Sequence, residues 1–185
     1  GQVEKIATNI QAAFVRLNDS INGYLPLNQC EHAIFADSHR EGQPLRPGDQ
    51  ILVQINRDAM KGKLPALTAN LNFSGKFLVL TTGNRKIGIS NKLSKEESSK
   101  LSKWLDDERN IPDRGYGLIA RTNAADASKE EFFHELDMLK KQYEKVAVYG
   151  RNRTCFSLLY ESEPFYLSAV RDIYGRDLDE IVTDI

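Results

Sequence analysis

The 185-residue sequence predicts an α+β fold, a small five-stranded barrel followed by an α/β unit. Three observations point there. The first 80 residues break into short apolar runs separated by turn residues, as short strands do. Two Ser-Lys-Glu-Glu tetrapeptides, at 94–97 and 128–131, open stretches with helical apolar spacing. A short apolar run lies between them, so strand and helix alternate through the second half.

Val3–Ala7 and Ala12–Leu17 are strand-like runs divided by Asn9, a turn former. Asn18–Gly23 has turn chemistry and leads into a run from Tyr24 to Leu27. Residues 37–49 are polar and rich in Gly and Pro, which predicts an exposed loop. Ile51, Val53 and Ile55 alternate with Leu52, Gln54 and Asn56 as a half-buried strand would. Arg57–Gly62 reads as a hairpin loop, and the chain returns over Leu64–Asn70. Five short strands of this kind suit a closed barrel of the OB type. Phe77–Leu80 is an apolar strand. The first helix starts at Ser94, carries Leu101, Trp104 and Leu105 on one face, and stops before Pro112. The strand Gly115–Thr122 follows. The second helix starts at Ser128, carries Phe132, Leu136, Leu139 and Tyr143, and runs to about Gly150. Residues 154–160 and 180–184 read as strands around a helix over 164–174.

Apolar residues make up 41% of the chain and charged residues 28%, ordinary values for a soluble globular protein. No apolar stretch approaches the roughly 18 residues of a membrane span, and no signal-peptide pattern opens the chain. Cys30 and Cys155 stand alone, which favours reduced thiols in a cytoplasmic protein rather than a zinc site. The net charge of −1 conceals an asymmetry. Residues 1–93 carry 11 Lys/Arg against 7 Asp/Glu, or +4, and residues 94–185 carry 14 against 19, or −5. The first half is therefore compatible with a polyanionic partner, and the second argues against a chain that coats nucleic acid uniformly.

The residues with the most pointed chemistry are Arg121 and Thr122, at the end of the apolar run Leu118-Ile119-Ala120. If that run is a buried strand, its last residues meet a cleft. A guanidinium fork beside a hydroxyl suits a terminal phosphate. It also suits an internal carboxylate, and residue chemistry alone leaves the two open. Lys92, with Arg85-Lys86 and the helix start at Ser94, forms a second anion-friendly element. In the barrel, Tyr24 and Phe35 with Lys61 and Lys63 offer rings for base stacking and lysines for a nucleic-acid backbone. Phe14, inside Ala-Ala-Phe-Val, is expected in the core. His32, His39 and His134 are scattered without ligand spacing, no serine has a G-x-S-x-G setting, and Asp184 is a lone strand-end carboxylate. No catalytic residue and no metal site emerges.

In order along the chain stand Gln11–Val15, Gly23–Leu27, Gly48–Ile55, Lys63–Thr68, Ser74–Leu80, Gly88–Ser90 and Gly117–Thr122, with Val170-Arg-Asp172 and Glu180–Asp184 near the end. In this order they resemble the ribonuclease E/G family of bacterial endoribonucleases. The resemblance implies an OB-fold RNA-binding domain over residues 1–75, a 5′-sensor subdomain over 76–145, and part of a ribonuclease-H-like domain over 146–185. It implies a pocket for the 5′-monophosphate of single-stranded RNA at Gly75, Val79, Arg121 and Thr122. It puts the barrel's RNA contacts at Tyr24 and Lys63, with Phe35 a looser match. The family usually carries two arginines where this chain has Asn91-Lys92, so phosphate contact there falls to Lys92 alone. Tyr24 stands where phenylalanine is common and keeps the stacking face. The family's magnesium-binding aspartates and zinc-linking cysteines have no match here, so those metals belong to a longer relative. By the same token the chain is expected to be a regulatory RNA-binding piece that does not cleave by itself. Unpaired sheet edges would favour a homo-oligomer. The competing expectation is a structural or interaction module whose barrel binds RNA weakly or not at all, in line with the low basic excess.

Overall fold

The computed structural model describes residues 1–162 together with Leu167, Ser168, Val170, Glu180 and Val182. The helix expected over 164–174 and the strand over 180–184 lie largely outside the described residues. Within them the fold is mixed α+β, with two sheets and three helices.

The first sheet holds β1 (Gln2–Ala7), β2 (Ala12–Arg16), β3 (Asn22–Pro26), β4 (Gln54–Arg57) and β5 (Ala66–Thr68) in the order β1-β2-β3-β5-β4. Its neighbours are antiparallel except the parallel β3–β5 pair. Residues alternate across a strand, so Val3, Ala13, Val15, Leu25 and Leu67 fall on one face and form a core with Phe35 and Ile51. β4 starts at Gln54, not at Ile51. The residues before it lie along β1 instead: the Val3 N–H donates to the Asp49 carbonyl at 2.8 Å and the Ile51 N–H to the Gly1 carbonyl at 3.0 Å. The loop over 37–49 is clasped by Arg40, which grips Asp49 with two hydrogen bonds of 3.0 and 2.9 Å. Those bonds hold the Asp49 carboxyl below the usual carboxylate range.

The second sheet holds β6 (Asn72–Ser74), β7 (Leu78–Thr81), β8 (Ile87–Ile89) and β9 (Gly117–Ala120) in the order β6-β7-β9-β8, with β8 parallel to β9. β6 and β8 have three residues each, too few to show a period in the sequence. The change of sheet falls between Thr68 and Asn72.

The helices α1 (Lys95–Trp104) and α3 (Lys129–Asn152) both start with a complete capping box, on Ser94–Glu97 and Ser128–Glu131. The first helix breaks at Leu105, and a four-residue α2 (Asp106–Arg109) continues it. Leu78, Leu80, Leu118 and Ala120 on one face of the second sheet pack against Leu101, Leu105, Phe132, Leu136 and Leu139. Leu52 and Ile34 from the first half join that core. Glu108 is buried at the junction, where it accepts from the Tyr116 hydroxyl at 2.9 Å and from Lys140 at 2.8 Å, tying α2 to α3. Burial, with the Glu108 bond added to it, raises the Tyr116 phenol above its ordinary value. The strand expected over 154–160 does not form, and the stretch runs as irregular chain. A strand needs a ladder partner, and among the described residues none pairs with it.

Close strand packing explains Gly117. A Cβ there would lie 2.6 Å from the carbonyl oxygens of both Asn84 and Lys86, backbone atoms that do not swing aside. Gly117→Ala is expected to destabilise the fold by about 2 kcal/mol, seen as a lower urea midpoint with an unchanged slope.

Candidate nucleic-acid interface

The end of β9 builds the first candidate site. The Arg121 N–H donates to the Phe77 carbonyl at 2.7 Å, which carries the β7–β9 pairing one residue past the end of β9, and its Nη1 donates to the Gly75 carbonyl at 2.7 Å. Thr122 and Ser90 share a hydroxyl–hydroxyl hydrogen bond of 3.0 Å. Ser90 is held there because its N–H donates to the Ala120 carbonyl at 2.9 Å, and its hydroxyl accepts from the Lys92 N–H at 3.4 Å. The result is a cleft of about 340 Å³ lined by Ser90, Lys92, Ile119, Ala120, Arg121, Thr122 and Asn123. Of the five sequence-derived positions for a phosphate, Arg121, Thr122 and Lys92 line it, and Gly75 and Val79 adjoin it. Val79 stands opposite Ile119 in register. A guanidinium, two hydroxyls and an ammonium group on one cleft wall suit an anion.

Two features of this site are not legible in the sequence. Ile119 does not belong to a strand buried on both sides: helices cover one face of the sheet, and on the other Ile119 is 41% exposed. Glu135 is the second. Its carboxylate, reaching in from α3, accepts the N–H groups of Lys76, Phe77 and Leu78, each at 2.7 Å. A Cβ on Gly75 would lie 2.3 Å from that carboxyl. Gly75 therefore makes room for an internal carboxylate, and its carbonyl orients Arg121. Glu135 stands 59 residues from Lys76, so it leaves no local mark beside Gly75.

The second candidate site is the outer face of the first sheet. Register places Lys5, Phe14, Tyr24, Ala66 and Arg57 in one row across all five strands. Phe14 and Tyr24 are half-buried and meet edge to face at 6.3 Å, with their planes at 73°. Phe14 is thus not a core residue. Ala13 and Val15 take the inner face, so Phe14 between them points out, a signal the alternation of Ala-Ala-Phe-Val already carries. Phe35 goes the other way. It is 2% exposed, bridged to Ile51 in the core, and its ring presents no stacking surface. Lys63 lies exposed in the connection between β4 and β5, its N–H bonded to the Met60 carbonyl at 2.8 Å.

Burial pushes the Cys30 thiol up to about 11, which leaves it protonated and poorly nucleophilic. Among the described residues no group of three or more His, Cys, Asp or Glu could hold a metal ion. No helix among the described residues is long and apolar enough to cross a membrane.

Residues 72–185 match the model of the ribonuclease E/G family. The whole chain aligns with ribonuclease E of Haemophilus influenzae at 30% identity, covering 20% of that protein. It aligns with ribonuclease E of Escherichia coli at 29%, covering 18%, and with a ribonuclease E/G-like protein of Pyropia yezoensis at 30%, covering 36%. The chain thus spans about a fifth to about a third of the length of these curated relatives.

Proposed function

The chain belongs to the ribonuclease E/G family, and on that footing we propose that it is the single-strand RNA-binding and 5′-monophosphate-sensing portion of a cytoplasmic endoribonuclease of RNA processing and decay. The observation that carries the proposal is the convergence of Arg121, Thr122 and Lys92 on one cleft at the end of β9. Arg121 would grip the terminal phosphate, Thr122 would donate its hydroxyl, and Val79 with Ile119 would offer the first base an apolar floor. The strand would continue over the first sheet, where Tyr24 and Phe14 stack bases and Lys63, Lys5 and Arg57 hold the backbone. The parallel β3–β5 pair and the bonds of residues 48–51 along β1 support an OB-type barrel over residues 1–75. Residues 76–145 would then be the sensor subdomain, and 146–185 part of a ribonuclease-H-like domain.

Fluorescence anisotropy with matched 5′-monophosphate and 5′-hydroxyl oligonucleotides tests the proposal. Tighter binding of the phosphorylated strand is expected, and equal affinity removes the sensing role. Tyr24→Ala is expected to weaken both strands about tenfold, since a stacked base contributes about 1–3 kcal/mol. The rival reading is an interaction module with little or no RNA binding. The Glu135 carboxylate filling the backbone amides beside Arg121 favours it. That reading predicts feeble binding that Tyr24→Ala does not change.

A further inference from the structure

The end of α3 and the segment after it combine features that neither candidate site uses. Residues 145–156 carry Lys145, Arg151 and Arg153 and no acidic residue, within a half of the chain whose balance is −5. Tyr149 and Phe156 are exposed large rings, at 38% and 37%. Each has cations at its ring: Lys145 at 5.9 Å and Arg153 at 5.4 Å from Tyr149, and Arg16 at 4.8 Å from Phe156. Phe156 sits at φ +72°, a conformation that bulky side chains rarely adopt, so the surrounding structure sets its place over Arg16. Arg16 lies two residues beyond Phe14 on β2 and shares its face of the first sheet. The patch therefore continues from the row that holds Phe14 and Tyr24.

We propose that residues 145–156 form a further contact for single-stranded RNA, with Tyr149 and Phe156 as stacking rings and Lys145 and Arg153 as phosphate contacts. Arg151 is engaged on Glu41 at 2.5 Å, and Arg16 donates to Gln2 at 2.9 Å and pairs with Glu4 at 3.6 Å, so it holds the Phe156 ring in place. Cation–π contacts at an exposed surface are weak, so a base can take the ring while the cation turns to the adjoining phosphate. This contact rests on the reading of the first sheet's outer face as an RNA surface. It would lengthen the bound strand from that face toward the end of α3.

Two labelled RNAs, one of about 5 nucleotides and one of about 16, test it, since site sizes on such surfaces run from roughly 4 to 16 nucleotides. The double substitution Tyr149→Ala with Phe156→Ala is expected to weaken the long strand about tenfold and leave the short strand unchanged. Arg153→Gln keeps both rings and is expected to flatten the salt dependence for the long strand by about one unit of slope, which serves as the readout if the double variant does not fold. If the long strand binds both variants as it binds wild type while Tyr24→Ala still weakens it, this contact is excluded and the reading of the first sheet stands. If Tyr24→Ala is silent as well, both fall.

Discussion

Arg121→Ala is expected to abolish the preference for a 5′-monophosphate strand while leaving the affinity for a 5′-hydroxyl strand unchanged. The guanidinium is aimed by its own sheet: the Arg121 N–H is bonded to Phe77 and Nη1 to the Gly75 carbonyl. A pre-aimed fork loses little freedom on meeting phosphate, which makes its hydrogen bonds count. Hydrogen bonds to a charged group contribute about 1.5–3 kcal/mol, so the affinity ratio should fall about 10- to 100-fold. Arg121→Lys keeps the charge without the planar fork and should retain only part of the preference. Thermal unfolding of each variant separates this effect from the loss of the Gly75 contact. A ratio untouched by Arg121→Ala would move the phosphate site away from this cleft.

Glu135→Ala is expected to destabilise the fold by about 3 kcal/mol, through the three backbone N–H groups it leaves without their carboxylate. Water reaching the half-buried loop offsets part of the loss, which keeps the figure below three full charged hydrogen bonds. For a chain of this size the melting temperature should drop by about 6–12 °C. Glu135→Gln presents one acceptor oxygen in place of two and turns an NH₂ toward N–H donors, so it should recover less than half of the loss. The vacated amides form an anion-binding concavity, and added phosphate should raise the variant's melting temperature more than the wild type's. An unchanged melting temperature in Glu135→Ala would show that the carboxylate contributes nothing to the loop.

Much of this was legible locally. The two capping boxes start their helices where Ser94 and Ser128 predict, because a cap is a contact among four consecutive residues. The run before Arg121 is a strand, because four apolar residues have few other uses. The strands β6 and β8 were not legible, since each depends on pairing with distant chain. The candidate site divides along the same line. Arg121, Thr122 and Lys92 are named by chemistry at a strand end and a helix start, whereas Ser90 and Glu135 enter through contacts 32 and 59 residues long.

The residue types at the cleft, the helix starts and the split between a strand-rich first half and a helical second half are written in the local chemistry of the chain. All of these rest on interactions within a few residues. Long-range packing alone sets Tyr24 beside the outward Phe14, buries Phe35, and brings a carboxylate from α3 into the amides beside Gly75. Which strands lie side by side, and which distant group reaches a loop, follow from sheet register and helix docking. No local stretch of chain encodes either one alone.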